Sequence, residues 1–266
     1  MPILAANGIN IYYEQRGEGP PLLFFNGSGS TLASSEFLVD VFAQRFTVTA
    51  HDQRGLGATD IPSGPYSMRD YADDANELVA AIGIDTCAVV GISFGGMVAQ
   101  EFAIRYPERV SRLALLCTSA GGDGGASYPL HELADLPESE RASVAMQLLD
   151  SRFCDAWFAS HAGDRYLMKS MTQRSLLPKS DEQARGEHEQ MQARAHHDVY
   201  SRLAQIATPT FVAAGRFDGI APPANAIAIA NEIPGAVLKL YDGGHAFFAQ
   251  DSAAFPEILS FLAATS

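Results

Sequence analysis

Residues Ala88 to Tyr106 constrain this chain more than any other stretch. The apolar run Ala88-Val89-Val90 enters Gly91-Ile92-Ser93-Phe94-Gly95-Gly96, and a helix-forming run, Met97 to Tyr106, leaves it. A buried strand, a turn too tight for bulky side chains and a helix follow one another, and the turn holds out one serine, Ser93. The spacing Gly-x-Ser-x-Gly alone arises by chance in about a tenth of chains of this length. A plain Gly-rich turn therefore competes with a nucleophile elbow. The rest of the chain must supply what a serine hydroxyl needs to react: a base to take its proton, an acid to hold the base, and donors for the developing oxyanion.

Strands and helices alternate around this turn. Ile9 to Glu14 has the composition of an edge strand, and Gly17-Glu18-Gly19-Pro20-Pro21 breaks the chain before the buried run Leu22 to Phe25. The loop Asn26-Gly27-Ser28-Gly29-Ser30 follows, either an anion-binding loop of free backbone N–H groups or an ordinary strand-to-helix connection. It lacks the lysine of a Walker A motif. A helix is expected from Ser34 or Ser35 to Gln44 and a strand from Phe46 to Ala50. Ser67 and Asp70 then start a helix that Gly83 stops. Beyond the serine turn, Pro107 ends a helix, and Leu113 to Cys117 is a buried strand. Strands return at Thr210 to Ala214 and Val237 to Tyr241, with helices at Pro222 to Ile233 and Phe255 to Ala264. Strands apolar on both faces and separated by helices imply an α/β protein with a mostly parallel, doubly wound sheet.

Residues 118–206 break the rhythm. They hold no convincing strand, and helical stretches appear at Glu138 to Leu149 and Asp181 to Leu203. This segment is expected to be a helical cap inserted into a core made of residues 1–117 and 207–266. Its glycine-rich opening, Ser119 to Ala126, is expected to be a mobile connection.

Composition mainly excludes. With 266 residues, 47% hydrophobic and 18% charged, the chain is ordered and globular. A net charge of −13 with no basic cluster argues against a nucleic-acid partner. The start, Met1-Pro2-Ile3-Leu4-Ala5-Ala6-Asn7, has no basic lead and no long apolar run, so a cytoplasmic protein without membrane association is expected. Cys87, Cys117 and Cys154 are widely spaced and lack metal-type pairing, which favours structural thiols. None of this addresses the oligomeric state.

The acid and the base are sought where a parallel sheet gathers its ligands, just beyond the carboxyl ends of strands. His245, in Asp242-Gly243-Gly244-His245-Ala246, follows the last expected strand and is the candidate base. His131, His161, His188, His196 and His197 fall in the polar insertion and His51 ends a strand; all six have the character of surface or loop residues. His196, His197 and Asp198 are consecutive, and consecutive helical residues point apart, so no metal site is expected there. Asp218, in Gly215-Arg216-Phe217-Asp218-Gly219, also follows a strand and is the candidate acid; Asp123 is the alternative. The order Ser93, Asp218, His245 is the one a nucleophile elbow requires.

These motifs, with Asp52-Gln53-Arg54-Gly55-Leu56-Gly57 and the terminal helix after Gly244-His245, resemble the α/β-hydrolase family. The resemblance covers nearly the whole chain and points to the small, cap-bearing members, among them carboxylesterases, enol-lactonases and cofactor-free perhydrolases. The stretch from Pro222 to His245 is most similar to the enol-lactonases. The resemblance implies oxyanion donors at the N–H of Phe94 and of Ser28. It also implies no cofactor, and a small carboxylic ester or lactone as substrate, cleaved through an acyl-enzyme on Ser93. Where family members often carry His-Gly, this chain has Asn26-Gly27, with the Asn26 side chain either bracing the loop or replacing a hydrogen bond. A serine at the elbow sets the chain apart from epoxide hydrolases and haloalkane dehalogenases, which resemble it but use aspartate there. Carbon–carbon bond hydrolysis, perhydrolysis and a non-catalytic ligand-binding module remain alternatives on the same scaffold.

The cap carries Met146, Phe153, Trp157, Phe158, Tyr166, Met168 and Met171. Phe153, Trp157 and Met168 are the foremost candidates to line a substrate pocket, against the alternative that they pack the cap onto the core. Arg152, Arg165 and Arg174 lie among them, as substrate-carboxylate ligands or as solvated helix faces.

Overall fold

The computed structural model describes residues 2–175 and 179–264. The chain opens with β1 (Ile3–Ala6), β2 (Ile9–Arg16), β3 (Pro21–Phe25), α1 (Leu32–Ala43) and β4 (Thr47–His51). After these come α2 (Met68–Ala81), β5 (Cys87–Ile92), α3 (Phe94–Arg105) and β6 (Val110–Leu116). The strands form one eight-stranded sheet in the order β1-β2-β4-β3-β5-β6-β7-β8, where β7 is Thr210–Gly215 and β8 is Val237–Tyr241. Strand β2 runs opposite to the other seven, so that β1–β2 and β2–β4 are antiparallel and the remaining pairs parallel.

The apolar runs are continuous because both faces of the sheet are covered. Along β3, Leu22 and Phe24 enter one core with Val39 and Phe42 of α1, while Leu23 and Phe25 enter the other with residues of α2 and α3. The second core continues under α8 (Pro223–Glu232), and the first is closed by α9 (Phe247–Gln250) and α10 (Ala254–Ala263).

After β4 the chain crosses to the other side of β3, so that β3 lies between β4 and β5. Phe25 pairs with Gly91, and the loops leaving the carboxyl ends of β3 and β5 are thereby neighbours. This reversal of strand order opens a crevice, the place where open α/β sheets bind ligands.

Several boundaries differ from expectation for local reasons. Ile9 to Glu14 is not an edge: β1 covers it through a two-residue turn at Asn7-Gly8, both at positive φ, which is the signature of a tight hairpin. Helix α1 starts at Leu32 because Thr31 caps it, with the Ser34 hydroxyl turned back to the Thr31 N–H. Helix α3 starts at Phe94, directly off the strand, rather than at Met97. The Ser67–Asp70 capping box on α2 is present as expected.

Residues 118–206 contain α4 (Glu138–Leu149), α5 (Asp155–Ser160), α6 (Ala162–Ser175) and α7 (Asp181–Ala195), and no strand among the described residues. Helix α7 stops short of Leu203, and Val199 donates instead to the Ala120 carbonyl. The glycine-rich opening is not a loose connection. Gly121 bonds to Gly125, and Asn225 donates to the Ala126 carbonyl. A Cβ on Gly121 would lie 1.8 Å from the His197 carbonyl oxygen, so glycine is there for close approach.

Candidate active site

Ser93 sits between β5 and α3 at φ 55°, ψ −116°, a conformation that few residues with a Cβ adopt. The surrounding glycines make room for it. A Cβ on Gly91 would lie 2.3 Å from the Gly95 carbonyl oxygen, and one on Gly95 would lie 2.2 Å from that of Phe25. The turn is tied at both ends: Ser93 N–H donates to Leu116 O at 2.8 Å, and the Thr118 hydroxyl donates to Ser93 O at 2.7 Å.

The three residues read from the sequence converge. His245 Nε2 lies 3.0 Å from Ser93 Oγ, and His245 Nδ1 lies 2.8 Å from Asp218 Oδ2. Asp218 accepts on its other oxygen, Oδ1, from the N–H groups of Ile220 and Ala221, both at 2.8 Å. A carboxylate held this way assigns the imidazole proton to Nδ1 and leaves the Nε2 lone pair facing the serine hydroxyl. The alternative acid, Asp123, is exposed in a one-turn 3-10 helix (Gly122–Gly124) and is not at His245.

Four hydrogen bonds that the sequence did not disclose place the acid and base loops. Residues 148–151, at the end of α4, run between them: Gly219 N–H donates to Leu148 O, Ser151 N–H to Phe217 O, and His245 N–H to Leu149 O at 2.6 Å. Phe217 N–H donates to Gly243 O, joining the two loops directly. Gly244 has no side chain because a Cβ would fall 2.0 Å from the Leu149 carbonyl oxygen. These are backbone contacts between distant segments, and only the glycine could have hinted at them.

The loop after β3 packs beside the serine, where a Cβ on Gly27 would lie 3.7 Å from that of Ser93. Ser28 is half-buried in this loop, and the Phe94 amide is the first of α3, where no intrahelical acceptor exists. The Asn26 side chain is buried with no hydrogen-bond partner among the described residues, so it does not brace the loop. Two glutamines do: Gln53 Nε2 donates to Asn26 O at 2.9 Å, and Gln190 Oε1 accepts from Gly29 N–H at 2.7 Å. Gln53 belongs to the Asp52-to-Gly57 motif, whose other members also act as ties. Asp52 accepts from the N–H groups of Leu32 and Ala58, and Arg54 forks onto Asp74.

Two of the six other histidines are not surface residues. His51 and His197 are buried, and loss of solvation pulls both down to about 4, so they are neutral near neutral pH. The Cys117 thiol is buried too; desolvation and, next, the charge of Asp218 push it far up and keep it protonated. Burial likewise pushes the Cys87 thiol up to about 12. No cluster of ligating side chains fit for a metal exists among the described residues, and helix α7 ends before His196.

Between α4 and α6, Phe153 is buried against the Phe158 ring. Trp157 stacks on His161 and donates its indole N–H to Asp164. Met168 is half-buried on α6. Arg152 forks onto Asp150, reaches Asp242, and lies over the rings of Trp157 and Phe217. Its charge is thus engaged within the protein, and it joins the segment after α4 to the loop that carries His245. Arg165 is exposed and donates to the Phe158 carbonyl. The side chains of Met171 and Arg174 lie outside the described residues.

Known proteins resemble this chain at two levels. Uncharacterized proteins of Mycobacterium tuberculosis and Mycobacterium bovis are 36% identical over 132 residues, half of this chain but 38% of their own length. The chain therefore spans well under two thirds of those relatives. A 3-oxoadipate enol-lactonase of Acinetobacter baylyi is 26% identical over 246 residues, covering 91% of this chain and 88% of that protein. The crystal structure of the enol-lactonase from Burkholderia xenovorans shares the fold, with a TM-score of 0.80 and 22% identity over 99% of this chain and all of that one. The model of the α/β hydrolase fold matches residues 20–252, and the chain belongs to the α/β-hydrolase family.

Proposed function

We propose that this chain is a serine hydrolase that cleaves a small carboxylic ester or lactone, with Ser93 as nucleophile, His245 as general base and Asp218 as the acid that holds the base. The observation that carries this is the hydrogen-bonded line from Asp218 through His245 to Ser93 Oγ, 2.8 Å and 3.0 Å long.

In this mechanism His245 Nε2 takes the hydroxyl proton as Ser93 Oγ attacks the carbonyl carbon. Asp218 holds the Nδ1 proton and balances the imidazolium. The N–H groups of Phe94 and Ser28 receive the oxyanion, each worth about 3 to 4 kcal/mol in the transition state. Collapse of the tetrahedral intermediate expels the alkoxide, which takes the proton from Nε2. Water, activated by the same nitrogen, then releases the acid from the acyl-enzyme. With a lactone the alkoxide stays on the acyl group, so a single ring-opened product leaves. The enol-lactonase relative, aligned over most of both chains, supports including lactones.

The test is a panel of short acyl esters and lactones followed by proton release, with Ser93→Ala as control. Hydrolysis abolished in the variant is expected; activity retained by purified Ser93→Ala protein would sink the mechanism. Cleavage of a carbon–carbon bond or peroxide-dependent halogenation, with no ester turnover, would redirect the proposal to the other chemistries of this fold.

A further inference from the structure

Ser93 is not the only residue at the sheet's carboxyl edge with a strained backbone. Cys117, which also bears a Cβ, stands at φ 43°, in the left-handed region. Asn7, the other such residue among those described, sits in a hairpin turn that calls for positive φ. Strand β6 ends one residue before Cys117, and Ile92 pairs with Leu116, so Ser93 and Cys117 leave adjacent strands side by side. The line from Asp218 through His245 to Ser93 makes no use of this second kink.

Its effect falls on the next residue. Cys117 N–H still donates to Ala213 O at 2.8 Å, and the chain then brings Thr118 against the first turn of α3. A Cβ on Gly96 would lie 2.6 Å from that of Thr118 and 2.8 Å from its methyl, so a glycine is what admits the threonine. Thr118 is 2% exposed, and its hydroxyl donates to Ser93 O at 2.7 Å. That oxygen also accepts from Gly96 N–H at 2.9 Å and from Met97 N–H at 3.3 Å. Thr118 supplies the shortest of the three bonds, and the one that comes from outside the helix.

The carbonyl of Ser93 and the N–H of Phe94 belong to one planar peptide unit and point opposite ways, so a bond that fixes the one fixes the other. A donor on the carbonyl oxygen also polarises the unit and makes its N–H a stronger donor. Phe94 N–H has no intrahelical acceptor and is free to serve a ligand.

We propose that Thr118 is a positioning residue for the oxyanion hole, which aims and polarises the Phe94 N–H by bonding the carbonyl of Ser93. Its catalytic meaning rests on the Ser93 mechanism, and two measurements keep the two apart. The first sets Thr118→Val, which keeps the shape and loses the hydroxyl, beside Thr118→Ser, which keeps the hydroxyl and loses the methyl packed at Gly96. On 4-nitrophenyl butyrate, Thr118→Val should lower kcat about tenfold with little change in KM, because the donor gains strength only against the oxyanion. Thr118→Ser should hold kcat near the wild-type value even where its melting temperature falls as far as that of the valine variant. Wild-type kcat in Thr118→Val, or losses that follow melting temperature in both variants, would overturn the proposal. The second measurement records the backbone nitrogen resonance of Phe94, which responds to hydrogen bonding at the carbonyl before it. It should move in Thr118→Val and stay in place in Thr118→Ser; an unmoved resonance in the valine variant overturns the coupling. If wild type turns over no ester, the hydrolase mechanism falls, and the resonance alone decides whether Thr118 governs the Phe94 amide.

Discussion

The carbonyl of Leu149, the last residue of α4, accepts the backbone N–H of His245 at 2.6 Å. The residue proposed as general base is therefore positioned by the end of α4 as well as by its own loop. Asp150, next in the chain, extends the tie: it accepts from Arg152 and from Gln250, while Gln250 Oε1 accepts from Gly244 N–H. Burial draws the Asp150 carboxyl up, but the bonds from Arg152 and Gln250 outweigh it and hold the group below its ordinary range.

Removing that carboxylate should disturb both stability and chemistry. Asp150→Ala leaves Arg152 with Asp242 as its one carboxylate and Gln250 Nε2 with Asp164 alone, and should cost about 3 kcal/mol in urea unfolding. Turnover should fall through kcat more than KM, because the loosened group is the base and not a substrate contact. Unchanged kcat in a folded variant would show that His245 does not depend on this tie.

Loss of the Gln53 amide should weaken the oxyanion loop without unfolding the protein. Gln53→Ala strips the Asn26 carbonyl of its buried donor, a penalty of about 1 to 3 kcal/mol, and should lower kcat about tenfold. Steady-state kinetics on one ester suffices to check it.

The buried histidines predict a dependence of stability on pH. His51 and His197 are held near 4 in the folded chain against 6.5 when solvated. The unfolded state therefore binds protons first, so their stability contribution is complete above about pH 6.5 and is lost as pH falls toward 4. Each should cost about 2 kcal/mol at pH 5 relative to pH 8. His51→Gln should remove about half of that loss, measured as urea midpoints across this range; a flat profile in the wild type would contradict the assignment.

Most of the sheet was legible because its central strands are apolar on both faces and bounded by Gly and Pro. Strand β8 and helix α4 have the boundaries expected of them, and the meeting of Ser93, Asp218 and His245 at one edge of the sheet was legible because all three follow strand ends. What escaped has little side-chain signature. The Asn7-Gly8 hairpin has only its two turn residues to mark it, because β1 is four residues long and buries only its last residue. The ties from Leu148, Leu149 and Ser151 are backbone bonds between segments far apart in sequence. Helix α7 is polar along its length, and nothing in its sequence marks Gln190 and Arg194 as the residues the fold buries.

The most direct test of the account is intact mass after incubation with a fluorophosphonate, which reacts only with an activated serine. Wild type should gain a single adduct, and Ser93→Ala and His245→Ala should gain none. An unmodified, folded wild type, or an adduct retained by Ser93→Ala, would contradict the proposed mechanism.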